Sequence, residues 1–403
     1  MKKNILNLPL HPVAGIRLGT ACAGIKKPDH PDLVVIEIAE GSHTAAVFTQ
    51  NAFCAAPVVV AREHLSTTPP AYLLVNTGNA NAGTGEQGLA DAQACCQALA
   101  EAADCAANAV LPFSTGVIGE SLPVEKIRAA IPAALNALDA KGWDKASWGI
   151  LTTDTQPKIF STKIKIDGKT ISLTGMAKGS GMIRPDMATM LAYIATDAQI
   201  ESGDLQAGLQ QAVNQSFNRI TVDGDTSTND ACMLIATGKS GVQLQTGSAE
   251  FEQFSQALTA LCVELAKGMI RDGEGATKLI NIDVVSGASD KECLDVAYTI
   301  AHSPLVKTAF FASDPNWGRI LAAVGRAPLD DFELGEVKIF LDEVCIVEQG
   351  GRSPGYTEAQ GQKVMNRDEI TVRVELGRGD AQANVWTCDF SYDYVRINAE
   401  YRT

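Results

Sequence analysis

The chain has 403 residues, 46% of them hydrophobic and 20% charged, which suits two or three domains of roughly 150 residues each and excludes a wholly disordered polypeptide. Its 33 basic and 47 acidic residues give a net charge of −14, so the broad basic face that binding to nucleic-acid phosphates requires is not expected. Ten cysteines are scattered without CxxC spacing, and His11, His30, His43, His64 and His302 share no HExxH or HxH spacing; no metal site is expected, and the thiols should be reduced and mostly buried. No apolar run approaches the ~20 residues of a membrane span. The opening MKKNILNLPLHP is broken by Asn4, Asn7, Pro9 and His11, so it reads as mature protein, not a signal peptide, and the expected location is the cytoplasm.

Along the chain, apolar runs predict strands at Leu33–Ile38, Ala45–Thr49, Val58–Ala61 and Leu73–Val75. An Ala-rich helix is predicted over Gly88–Ala103, with Thr84 and Gln87 at capping-box spacing. A second helix covers Val124–Leu138, with Pro132 as a kink. Phe160–Ile166 and Thr170–Leu173 are joined by Asp167-Gly168, a strong hairpin signal. A glycine-containing loop, a short strand (Met190–Ile194) and a helix from about Asp204 follow. Phe251, Phe254, Leu258, Leu261, Leu265 and Met269 recur at helical spacing, the mark of core packing. That helix should end near Gly273, leaving Glu274 on a loop before the strand Leu279–Val285. Alternation at Val337–Phe340, Ile370–Val374 and Val385–Phe390 then suggests a separate α+β unit of sheet and a few helices.

The sequence contains neither a GxSxG elbow nor a GxxxxGK[ST] loop, and Gly179-Ser180-Gly181 is too short to indicate a nucleotide. The most informative stretch is Lys178-Gly-Ser-Gly-Met-Ile-Arg-Pro-Asp-Met-Ala188-Thr189-Met-Leu191. A threonine entering an apolar strand is ordinarily a β-former. It can also be a nucleophile when its own α-amine, with a pKa of roughly 7.7–8, serves as base. An internal threonine acquires that amine only by cleavage of the bond before it, and the small residues at Ala188–Thr189 would suit an N→O acyl shift. By residue type alone, Ser114-Thr115-Gly116 is a turn, Glu274 a solvated loop acid, and Asn398 and Thr403 part of a frayed tail.

KGSGMIRPDMATML resembles the processing site of the ornithine acetyltransferase (glutamate N-acetyltransferase, ArgJ type) family. Further matching stretches run in order along the whole chain. They are Asn76-Thr-Gly-Asn-Ala-Asn-Ala-Gly83, Ser114-Thr-Gly116, Leu151-Thr-Thr-Asp-Thr155, Asp223-Gly-Asp-Thr-Ser-Thr-Asn-Asp230, Glu274-Gly-Ala-Thr-Lys278, Ser313-Asp-Pro-Asn-Trp-Gly-Arg319 and Asn398-Ala-Glu-Tyr-Arg-Thr403.

The resemblance implies a four-layer αββα sandwich of mixed α/β class, similar in style to N-terminal-nucleophile hydrolases, with the C-terminal α+β subdomain at about residues 280–403. It implies self-cleavage into an α chain, residues 1–188, and a β chain, residues 189–403, that begins at the nucleophile and pairs into an α2β2 heterotetramer. Thr189 would take acetyl from N-acetylornithine and pass it to glutamate by a ping-pong route, releasing ornithine and N-acetylglutamate. Thr115 and Gly116 match the oxyanion-hole pair; Thr152, Lys178, Thr189, Glu274, Asn398 and Thr403 match substrate-binding positions. Asp223–Asp230 and Ser313–Arg319 are expected to be structural turns, with support of the site as the alternative. No cofactor is implied, and acetyl-CoA stays open as a second acetyl donor. Two competing readings are an N-terminal-nucleophile aminopeptidase or amidohydrolase, in which water deacylates Thr189, and an unprocessed amino-acid-binding protein.

Overall fold

A computed structural model describes residues 9–25, 29–184 and 190–400. The chain divides into two compact units, residues 1–218 with 225–269, and residues 219–224 with 270–403.

The first unit opens with β1 (Ile16–Ala21), β2 (Leu33–Ile38), β3 (His43–Phe48), α1 (Ala56–Thr67), β4 (Tyr72–Asn79), α2 (Gly85–Ala103) and β5 (Val110–Val117). It continues through α3 (Val124–Asn136), α4 (Trp143–Gly149), β6 (Lys158–Ile166), β7 (Lys169–Lys178), β8 (Leu191–Thr196), β9 (Gln199–Ile200) and α5 (Ser202–Asn214). After β10 (Ile220–Thr221), a strand of the second unit, come β11 (Ala231–Ala236), β12 (Gln243–Leu244) and α6 (Ala249–Arg271). One sheet has the order β1-β2-β4-β5 and the other β3-β11-β8-β7-β6; β9 pairs with β12 separately.

Ile36, Val75 and Phe113 from the first sheet meet Met176, Tyr193 and Met233 from the second in one buried cluster, with Phe113 edge-on to Tyr193 at 5.4 Å. The outer face of the first sheet, including Leu33, Val35 and Leu74, packs on Cys96 and Leu99 of α2 and Ile127 and Ile131 of α3. On the second sheet, Gly175 of β7 leaves room for Leu261 and Leu265 of α6, and Gln206 of α5 bonds both the N–H and the C=O of Ala46 on β3. The result is the expected αββα order. Because both faces of each sheet are covered, Leu33–Ile36 reads as an unbroken apolar run, not an alternating one.

Two local expectations change and one holds. Val58–Ala61 lies in α1, not a strand: Pro57 occupies the first helical turn, where its missing N–H costs nothing, and the three valines follow helical burial, with Val59 exposed. The Thr84/Gln87 capping box does not form, since Thr84 Oγ1 donates to Asn81 and Gln87 to Asp91. The Asp167-Gly168 hairpin is as expected, both residues having positive φ (50° and 76°). All ten cysteines are free thiols.

The second unit comprises β10, β13 (Leu279–Gly287), α7 (Asp290–Ala301), α8 (Pro304–Phe311), α9 (Trp317–Gly325), β14 (Lys338–Leu341), β15 (Val344–Glu348) and β16 (Gly351–Arg352). It closes with α10 (Glu358–Met365), β17 (Glu369–Glu375), β18 (Ala381–Cys388) and α11 (Tyr392–Ala399). Its sheet runs β10-β18-β13-β17-β14-β15-β16, and Ile282 and Val284 of that sheet share a core with Val296 and Ile300 of α7. Asn316 caps α9 by accepting from Arg319 N, which accounts for the Ser313–Arg319 motif as a helix-start device. Among the described residues, no helix is long and apolar enough to cross a membrane.

Candidate active site

In the first unit, the ends of β4, β5 and β7 bring together residues that are far apart in sequence. Thr115 and Gly116 lie on β5, not in a free turn, opposite a register irregularity at Gly78/Asn79 on β4. Gly116 has φ 140°, and a Cβ there would sit 2.3 Å from the Gly78 carbonyl carbon, so no other residue fits this backbone. Thr115 is buried, and Lys178 Nζ donates to its Oγ1 at 2.9 Å. A hydroxyl that accepts from an ammonium keeps its own proton to donate elsewhere, and the adjacent positive charge makes it a better donor.

Lys178 is itself placed by a group that sequence reasoning missed. The Asp154 side chain, with 0% exposure, pairs with the equally buried Lys158. It also accepts from Gly179 N at 2.8 Å, just after Lys178, and from Thr152 N at 3.2 Å. Burial works against ionisation of Asp154, but Lys158 and Lys178 together, with the Gly179 N–H, hold its carboxyl well below the usual carboxylate range. The i,i+4 spacing of Asp154, inside the Leu151–Thr155 motif, and Lys158, just beyond it, was the available signal. Thr153 Oγ1 bonds Ser180 Oγ at 2.7 Å, tying this loop to the segment that follows β7.

Asn229 and Asp230, at the end of the stretch Asp223–Asp230 that was expected to be a structural turn, also lie in this region of the first unit. Asn229 donates to the carbonyls of Ala80 and Ser114. Asp230 is buried, its Oδ2 has no hydrogen-bond partner among the described residues, and burial pushes its carboxyl well above the ordinary range against the pull of Ser227 and Lys178.

In the second unit, Glu274 is buried, not a solvated loop acid, and accepts from Asn398 Nδ2 at 2.8 Å. The tail is not frayed there: Asn398 lies on α11, whose cap residue Ser391 also donates to Gly275 O at 2.6 Å. Tyr394 stacks on Phe390 with ring centroids 4.6 Å apart, and its hydroxyl donates to Asp223 at 3.4 Å. Thus Thr115, Gly116, Thr152 and Lys178 are placed in the first unit, and Glu274 and Asn398 in the second. Ala188, Thr189 and Thr403 lie outside the described residues. Among the described residues, no group of His, Cys, Asp and Glu could hold a metal ion.

Comparison with known proteins decides the family. The ArgJ family profile matches residues 17–403. The chain belongs to the ArgJ family. An arginine biosynthesis bifunctional protein ArgJ from Methylococcus capsulatus is 61% identical over 402 residues, covering 100% of this chain and 98% of the relative. Among solved structures, an arginine biosynthesis bifunctional protein ArgJ from Bacillus halodurans matches at 40% identity and a TM-score of 0.49, over 50% of this chain and 95% of that one. The ornithine acetyltransferase of Mycobacterium tuberculosis, complexed with ornithine, matches at 33% identity and a TM-score of 0.39, over 44% of this chain and 93% of that one. Membership in the ArgJ family makes the chain an acyltransferase of arginine biosynthesis and sets aside the reading as a binding protein without enzymatic activity.

Proposed function

We propose that the chain cleaves itself before Thr189 and then transfers acetyl from N-acetylornithine to glutamate through an acetyl-Thr189 ester. In cleavage, Thr189 Oγ attacks the Ala188 carbonyl, the Ala188–Thr189 C–N bond breaks to free the Thr189 α-amine, and water hydrolyses the resulting ester to restore the Thr189 hydroxyl and leave Ala188 with a carboxylate. In transfer, that amine takes the Thr189 hydroxyl proton as Oγ attacks the acetyl carbonyl, then passes it to the departing ornithine amine. The glutamate amine then attacks the acetyl ester carbonyl, the C–Oγ bond breaks as the Thr189 α-amine relays a proton from the attacking nitrogen to Oγ, and N-acetylglutamate leaves.

The observation that carries this reading is the Lys178–Thr115 hydrogen bond, 2.9 Å long, beside the forced backbone of Gly116. It leaves a polarised hydroxyl donor next to a glycine N–H at the end of β5, the chemistry an oxyanion requires. Thr152 and Lys178 then serve the substrate in the first unit. The buried carboxylate of Glu274, with Asn398, suits an ammonium in the second. Thr403 completes the substrate-binding set. The bifunctional name of the 61%-identical relative supports acetyl-CoA as a second donor for N-acetylglutamate synthesis. The mature protein is then an α2β2 assembly working in the cytoplasm.

A denaturing gel should show two bands of nearly equal size, and wild-type enzyme treated with N-acetylornithine should gain one acetyl group on the chain that begins at Thr189. Thr189→Ala should remain one uncut, inactive band; normal transfer by that variant overturns the proposal. Parallel assays with acetyl-CoA or N-acetylornithine as sole donor test the second activity. Release of acetate in place of N-acetylglutamate would favour the hydrolase reading.

A further inference from the structure

We infer that Asn229 is a positioning residue for the oxyanion pair, holding Thr115 and Gly116 from the other side of the cleavage site. This rests on the oxyanion role proposed above for those two residues. Asn229 Nδ2 donates to Ala80 O at 2.6 Å and to Ser114 O at 2.9 Å, so both protons of one carboxamide bridge the end of β4 to β5. The ladder between these strands is irregular at this point, with shifts at Gly78 and Asn79, and the side chain supplies donors at the break. The Ser114 carbonyl and the Thr115 N–H belong to one planar peptide. Fixing that carbonyl therefore fixes the plane from which the Thr115 side chain departs, one residue before Gly116.

Asn229 is itself immobilised. It is buried, its Oδ1 accepts from Thr228 Oγ1 at 2.5 Å, and its neighbours are pinned by Ala55 N to Thr228 O at 3.0 Å and Thr49 N to Asp230 O at 2.9 Å. From the opposite side, Ser114 Oγ donates to Asn76 Oδ1 at 2.6 Å, and Asn76 Nδ2 donates to Asn79 O at 3.0 Å. Ser114 precedes the Ala188–Thr189 bond and Asn229 follows it. After cleavage, the chain that carries the nucleophile thus also carries the clamp on the oxyanion pair of its partner chain.

The test is steady-state kinetics on processed enzyme. Asn229→Ala is expected to lower kcat by about 10²-fold, the scale of a small misplacement of catalytic groups, with KM for N-acetylornithine nearly unchanged. Asn229→Asp, which keeps the shape but repels both carbonyls, should be at least as slow. If Asn229 acts through Thr115, the Thr115→Ala/Asn229→Ala double variant should be hardly slower than the worse single one. Full additivity, unchanged kcat, or a loss confined to KM overturns the inference.

If Asn229→Ala accumulates as precursor, it is compared with Thr189→Ala and with the double variant by thermal melting. A Tm close to that of Thr189→Ala supports a local effect on cleavage geometry, and collapse of the fold overturns the positioning role. Absence of an acetyl-enzyme in the wild type would overturn the parent reading instead, whatever Asn229 does.

Discussion

The ammonium of Lys178, the last residue of β7, donates at 2.9 Å to the hydroxyl of Thr115 on β5, joining the two sheets of the first unit at one end. The bond fixes which way the Thr115 proton faces, because the lone pair facing Lys178 is occupied. It also places a positive charge beside the position proposed for a developing oxyanion.

Removing the Thr115 donor should therefore cost rate more than binding. Thr115→Ala is expected to lose about 10²–10³ in kcat, and Thr115→Ser to recover most of it. Lys178→Met removes a charge-assisted hydrogen bond worth about 1.5–3 kcal/mol, so a loss of roughly 10–100-fold is expected even though Thr115 remains. Equal activity of Lys178→Met and wild type would show that the hydroxyl needs no polarisation.

Asp154 controls stability near the same site. Asp154→Asn removes the carboxylate facing buried Lys158, and breaking such a pair typically costs about 3–5 kcal/mol. The folded carboxyl titrates below its ordinary 3.8, so this stability is fully present above that pH and is lost as pH falls through the folded value. The difference in Tm between wild type and Asp154→Asn should be largest near neutrality and shrink below about pH 4. A difference that stays constant with pH would mean that the pair contributes nothing through ionisation.

Cleavage at Ala188–Thr189 would not release the halves. Lys178 to Leu173 on β7 pair with Leu191 to Thr196 on β8, and β3 pairs with β11 along His43–Phe48. The second sheet thus interleaves strands from both sides of the cut. The two bands of a denaturing gel are expected to co-elute on gel filtration in native buffer and to separate only in denaturant; separation without denaturant would contradict this sheet order.

How much of this was legible in the sequence depended on whether local or tertiary forces decide each feature. The Asp167-Gly168 turn demands positive φ from its own two residues, so the hairpin was readable. Val58–Ala61 was not, because β-branched residues read as a strand until Pro57 and the packing partners of α1 are known. Glu274 looked solvated for the same reason: its hydrogen-bond partner Asn398 is more than a hundred residues away. Asn229 resembled any loop asparagine, since its function lies in carbonyls that only the fold brings within reach. Asp154 was the near miss, its Lys158 partner visible at i,i+4 but its burial not.

The attachment of α11 gives the last prediction. Gly275 has φ 70°, and a Cβ on it would lie 2.5 Å from Tyr394 N and 2.6 Å from Ser391 Oγ. Gly275→Ala should therefore lift the start of α11 and draw Asn398 away from Glu274, while leaving Thr115, Gly116 and Lys178 untouched in the other unit. Lost ground-state contacts raise KM without lowering kcat. Gly275→Ala should accordingly raise KM for N-acetylornithine while kcat holds, and Ser391→Ala, which removes only the hydroxyl bond to Gly275 O, should do so more weakly. A fall in kcat at constant KM would show instead that the second unit acts on the chemical step itself.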